Sequence, residues 1–203
     1  GKKAQKSTNK KESLDVTNIP FFNGDSAYNY VAAQTDFGPR VPNTEAHQKG
    51  GDYLIQKLAS YTDTVMVQAF QARAFDGTLL NGRNIIASFN LEKKKRIFIS
   101  SHWDSRPFAD HDADEANHRT FIDGANDGAS GVGVLIEMAR LMQLQKPDIG
   151  VDIILFDLED YGTPDFAPHM ADSQSTWALG SQYWALNPHF LDYEARYGIL
   201  LDM

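Results

Sequence analysis

The chain has 203 residues, 42% of them hydrophobic, enough for one well-packed domain, and no Pro/Gly/Ser-rich linker divides it. A formal net charge of -8, from 27 acidic and 19 basic residues, argues against a nucleic-acid partner. The sequence has no cysteine, which excludes disulfides, thiolate catalysis and sulfur-ligated metals; no stretch approaches the roughly 18 apolar residues of a membrane span.

Residues 1–20 read as a flexible polar tail. Its start, GKKAQKSTNKKES, is lysine-rich with no apolar run, so it is not an intact signal peptide. It suits either a cytosolic extension or the beginning of a mature exported chain. Residues 21–203 are then expected to form a single α/β domain. SAYNYVAAQT, residues 26–35, suits a short helix, and Pro39 and Pro42 restrict the turn FGPRVPNT that follows. Asn43 or Thr44 can cap a second helix over about 44–59, with His47, Gly51, Leu54, Ile55 and Leu58 along one side.

Strand-like segments come next: TVMVQAF at 64–70, RNIIASF at 83–89, and KKKRIFIS ending near Ser100. VDIILF, residues 151–156, is apolar after its first aspartate, as a strand covered on both faces would be. YGILLDM, residues 197–203, repeats that character. Helices are expected over about 129–144 and 176–186; the first carries a buried stripe of Val132, Leu135, Ile136, Ala139 and Met142. Strands separated by helices predict a mixed, largely parallel central sheet flanked by helices. Neither G-x-G-x-x-G nor a P-loop is present, so nucleotide binding has little support.

Polar groups gather where strands end. IFIS is followed by His102 and Asp104, and VDIILFDL by Glu159 and Asp160. YGILLDM contains Asp202, and Asp127 lies in GANDGASG, which opens the helix at 129. In open α/β sheets ligands bind at the carboxyl ends of strands. Acids that converge in a partly buried cleft repel each other and call for a cation. Zinc accepts imidazole nitrogen and carboxylate oxygen, typically with three protein ligands and a water at a catalytic site. Each residue also has a plainer role available. Asp127 can cap its helix, His102 can be a hydrogen-bonded core histidine, Glu159 and Asp160 can form an exposed turn, and Asp202 can cap or pair. His111 and His118 read as members of a solvated loop, with a second ion as the alternative; His47, His169 and His189 carry no assignment.

Six segments, FGPRVPNTEAH, HWDSRPF, DGANDGASGVGVLIEMAR, ILFDLEDYG, STWALGSQYWA and YGILLDM, occur in this order over residues 26–203. In them the chain resembles the animal-type glutaminyl cyclases (glutaminyl-peptide cyclotransferases). These share a zinc aminopeptidase-like, phosphorylase/hydrolase-like α/β sandwich with zinc-dependent exopeptidases. The resemblance implies metal binding by Asp127 and Asp160, the latter a glutamate in the animal enzymes. It implies proton transfer by Glu159 and substrate orientation by Asp202, with Asp157 or Asp165 behind it. In two-metal aminopeptidases His102 and Asp202 would instead serve a second zinc. One zinc is therefore expected for a cyclase and two for an aminopeptidase.

The family's last metal-binding histidine and further strands fall downstream of the strand bearing Asp202. The resemblance thus implies a C-terminal part missing beyond Met203, or a truncated homologue. The implied reaction is cyclization of an N-terminal glutamine to pyroglutamate with release of ammonia. Aminopeptidase hydrolysis and non-catalytic peptide binding are the alternatives. The partners are peptide or protein N-termini, and the protein is expected to be a monomer. The expected location is that of an exported bacterial protein, periplasmic or membrane-anchored through a removed N-terminal segment.

Overall fold

A computed structural model describes residues 19–62, 64–168 and 176–203; the greater part of the expected tail, and His169, lie outside these. Helix α1 covers Gly24–Thr35 and α2 covers Glu45–Ala59. Each begins at a capping side chain. Asn23 accepts the Ser26 N–H at 3.0 Å and Thr44 accepts the His47 N–H at 3.2 Å, satisfying donors that the first helical turn leaves unpaired. Strands β1 (Thr64–Arg73), β2 (Leu79–Phe89) and β3 (Arg96–His102) follow, then α3 (Ala129–Leu144), β4 (Gly150–Phe156), α4 (Leu179–Leu186) and β5 (Gly198–Leu200). α4 begins three residues later than the sequence suggests, because Ala178 takes a left-handed conformation at φ 53°. β5 is also shorter than YGILLDM.

Among the described residues the five strands form one sheet in the order β1-β2-β4-β3-β5. β4 pairs parallel to β3, and β3 parallel to β5, whereas β1–β2 and β2–β4 are antiparallel. The sheet is therefore evenly mixed, which corrects the expectation of a largely parallel one. The reason is that β2, turned back by the β1–β2 hairpin, pairs directly against the central strand β4.

The main core lies between one sheet face and helices α2 and α3. Leu54 and Leu58 meet Ile85, Ala87, Ile153 and Leu155 there, with Val132, Leu135, Ile136 and Ala139 from α3. The α3 stripe is buried as its spacing predicts, except that Met142 sits at the margin. On the opposite face Ile86, Ile154 and Phe156 pack with Phe98 and Trp184 of α4. All seven residues of β4 are buried, including Asp152. That carboxylate accepts two bonds from Arg96, at 2.9 and 2.6 Å, and one each from Ser88 and Tyr193, so its charge is fully compensated. β3, β4 and β5 run in one direction, and their carboxyl ends define the edge where the site is built.

Candidate metal centre

β3 ends at His102, and its ring is the centre of a group of acids. His102 Nε2 lies 2.8 Å from Asp127 Oδ1 and 3.6 Å from Asp202 Oδ1, while Nδ1 faces Asp104 at 3.5 Å. One ligand atom each from His102, Asp127 and Asp160 lies within 4.8 Å of the other two. Asp127 does not cap its helix: α3 is capped by Gly128 with no side-chain bond, and Asp127 turns to His102. Gly128 has φ 87°, and a Cβ there would meet His102 Cε1 and the Asp104 carbonyl at 2.9 Å. Only glycine lets the loop approach this closely.

The second arm of the site is the corner Asp157–Asp160 after β4, and every backbone polar group in it is paired. The four N–H groups go to Asn84 Oδ1, Asp157 Oδ1, Asp104 Oδ1 and Asp104 Oδ2. Gly180, Leu179 and Ala178, at the start of α4, donate to the carbonyls of Asp157, Leu158 and Glu159 in turn. Arg106 donates to the Asp160 carbonyl at 3.0 Å. Leu158 occupies the left-handed region at φ 56°, held there by full burial against Phe70, Ala74 and Leu80. The corner is thus over-determined, and it aims two consecutive carboxylates at one edge of the sheet.

The electrostatics are those of crowded acids. Burial, then the charge of Asp104, pushes both Glu159 and Asp160 up to about 7, with His102 opposing. Burial alone would lower His102, but contacts with Asp104 and Asp127 reverse this and push it up to about 11. Asp104 is held below the ordinary carboxylate value; burial works against this, and His102 with the two backbone N–H groups outweighs it. Two buried atoms in the group, Asp160 Oδ2 and His102 Nδ1, have no hydrogen-bond partner. An orphaned carboxylate oxygen among other acids, beside an imidazole, is the donor set a divalent ion such as zinc would complete.

The positions expected from the sequence thus divide as follows. His102, Asp127 and Asp160 come together, Asp202 approaches His102, and Glu159 stands on the same corner as Asp160. The Asp157 carboxylate bonds His47 and the N–H groups of Arg83 and Leu158. Asp165 is exposed and lies 3.5 Å from His111. Asp110, His111 and Asp165 form a second convergence, but the Asp110 carboxylate already accepts two bonds from Arg106. His118 sits in an exposed loop and contacts the Asp112 carbonyl. Sequence reading gave no role to Asp104, which braces both arms. The signal available for it was its place two residues beyond His102 at the end of a strand.

A glutaminyl cyclase of Bacteroides thetaiotaomicron, solved with N-acetylhistamine, superposes with a TM-score of 0.89 at 57% identity, covering 92% of this chain and 63% of that one. A Zn-dependent exopeptidase from Parabacteroides distasonis gives 0.89 at 55% identity, covering 91% and 63%. The glutaminyl-peptide cyclotransferase of Drosophila melanogaster is 27% identical over 136 residues, 63% of this chain and 36% of that protein. The chain therefore spans less than two thirds of the length of these relatives. The sequence profile of peptidase family M28 matches residues 84–203, which include His102, Asp127, Glu159, Asp160 and Asp202. This chain belongs to peptidase family M28.

Proposed function

We propose that the protein cyclizes the N-terminal glutamine of peptides or proteins to pyroglutamate with release of ammonia, using zinc. The observation that carries the reading is the convergence of His102, Asp127 and Asp160 beside a proton-carrying Glu159. Similarity to bacterial and animal glutaminyl cyclases supports it. Asp127 and Asp160 would hold the ion, which when bound supplies Lewis-acid polarisation of the glutamine side-chain amide carbonyl.

The substrate's own α-amine is the nucleophile, so the residues have three tasks. Glu159, at about 7, takes a proton from the amine and returns it to the departing ammonia, serving as base and then acid. Asp202, across from His102, orients the amine. The braced corner keeps both carboxylates in place while the substrate's two ends are brought together, a proximity effect.

Aminopeptidase hydrolysis is the second reading. It is favoured by the position of His102 Nε2 between Asp127 and Asp202, an arrangement suited to a second zinc held by His102 and Asp202. Likeness to an exopeptidase at the same TM-score points the same way. Assay of the whole protein decides between the two. Ammonia release from glutamine-initiated peptides supports cyclization, whereas hydrolysis of leucine-initiated peptides with glutamine-initiated ones left uncyclized supports the alternative. Zinc content per chain gives one or two ions accordingly.

We also assign the protein to the exported class expected from its sequence, acting on peptide N-termini outside the cytoplasm. Among the described residues no helix is long and apolar enough to cross a membrane. Signal-sequence fusion and fractionation of the producing cell test that location.

A further inference from the structure

His47 lies on α2, which carries no residue of the metal cluster, yet its side chain is 3% exposed and fully engaged. On one side Nε2 is 2.9 and 3.1 Å from the two oxygens of Asp157, a carboxylate with no solvent exposure. On the other, the imidazole stacks on Trp103 with ring centroids 4.4 Å apart and planes 13° from parallel. Trp103 stands between His102 and Asp104. Asp157 begins the corner that ends at Asp160. One ring therefore touches two of the three segments that deliver the cluster.

We propose that His47 is a positioning residue that fixes the separation of the His102–Asp104 loop from the Asp157–Asp160 corner. The inference rests on the reading of the cluster as a working metal site, and it adds a residue outside that cluster. A second bridge between the same two loops is made by β2: the Arg83 N–H donates to Asp157 Oδ2 at 2.8 Å, and the Arg83 carbonyl accepts from Trp103 Nε1 at 3.3 Å. The Arg83 end of that bridge is backbone and holds whatever side chain stands at 83. His47 is the part of the brace that substitution can remove. Its loss leaves the buried Asp157 carboxylate short of a partner, so the corner that carries Glu159 and Asp160 relaxes at its first residue.

The experiment compares His47→Phe, which keeps the stacked ring and loses the donor, with His47→Gln, whose amide nitrogen reaches the place of Nε2. Two quantities are read on the full chain: hydrogen exchange at the Glu159 and Asp160 amides, and zinc affinity by chelator competition. His47→Phe is expected to speed exchange at those two amides and to weaken zinc binding ~10–100-fold, the effect usual for losing a partner that orients metal ligands. In turnover kcat falls more than KM rises. His47→Gln should recover exchange and affinity to within a few-fold of wild type.

If His47→Phe does not fold, His47→Asn against His47→Gln makes the same comparison, because the asparagine amide stops near the place of Nδ1 and cannot reach Asp157. Unchanged exchange and unchanged zinc affinity in His47→Phe, whatever happens to its melting temperature, overturn the proposal. Exchange reports on the brace and wild-type turnover on the proposed activity. A wild-type protein that fails to cyclize glutamine peptides while the exchange response holds therefore refutes the activity and leaves the brace standing.

Discussion

Replacing Glu159 by glutamine removes a proton carrier with almost no change of volume. The backbone N–H of residue 159 keeps its bond to Asp104 Oδ1 at 3.0 Å, so the corner is not disturbed. The side chain is not one of the three whose ligand atoms converge within 4.8 Å, so zinc should remain bound. Burial and the Asp104 charge place Glu159 at about 7, so near neutrality it is about evenly divided between base and acid, as a group that must both take and return a proton requires. General acid–base catalysis of this kind is worth about 10²–10⁴ in rate, or roughly 2.7–5.5 kcal/mol of barrier. Ammonia release from a glutamine-initiated peptide, followed with coupled detection at saturating substrate, should fall by that factor while zinc content stays at the wild-type value. If zinc is lost, or if kcat stays within about tenfold of wild type, Glu159 is a ligand or a bystander and the assignment of roles fails.

Other outcomes follow from the same geometry. Asp127→Ala removes the carboxylate 2.8 Å from His102 Nε2 and should weaken zinc binding by at least about tenfold in a chelator titration; unchanged metal content would remove Asp127 from the ligand set. Zinc uptake by the metal-free chain should release protons and weaken as pH falls below about 7, because Asp160 is raised to about 7 and must be ionised to bind; calorimetry in buffers of different ionisation enthalpy measures this. Asp152 is held below its ordinary value of 3.8 by His189, Arg96, Ser88 and Tyr193, which together overcome its burial. Its contribution to stability is therefore present above the unfolded value and lost as pH falls toward the folded one. Urea melts should show wild type losing stability on acidification through that range and Asp152→Asn, already less stable at pH 7, losing less. Leu54→Ala, at a side chain with no exposure in the main core, should cost about 2–5 kcal/mol in the same melts at neutral pH.

Periodicity and caps carried most of the fold. The stripe of α3, the Thr44 cap of α2 and the apolar run that follows Asp152 in β4 each have a local cause that the chain states directly. What the chain could not state was which strands are neighbours. The pattern of β2 is the same whether it lies beside β3 or β4, and the antiparallel β2–β4 pairing removed the parallel majority. The same limit applied at the site. Five acids and a histidine at strand ends and a helix start were visible as a habit of the sequence, and three of these six residues meet. The partners that hold them in place were not visible. Asp104 and Asp157 look like any acid beside a strand, and His47 occupies an ordinary inward position of an amphipathic helix. Their roles depend on where a side chain points across more than fifty residues of intervening chain, as in His47–Asp157.

Leu158 joins two demands that normally exclude each other. Its left-handed backbone suits glycine, while its side chain fills an enclosed apolar pocket. The unfavourable dihedral costs an ordinary residue roughly 1–2 kcal/mol, and burying leucine returns about 1.5–3 kcal/mol. Glycine here would relieve the torsion yet surrender the anchor and let the turn wander. Alanine would keep the torsion and lose most of the filling. The sharp bend beneath the paired carboxylates is therefore a spring clipped shut by oil, and mutational freedom at this one position should be narrower than at either acid's neighbours on the surface.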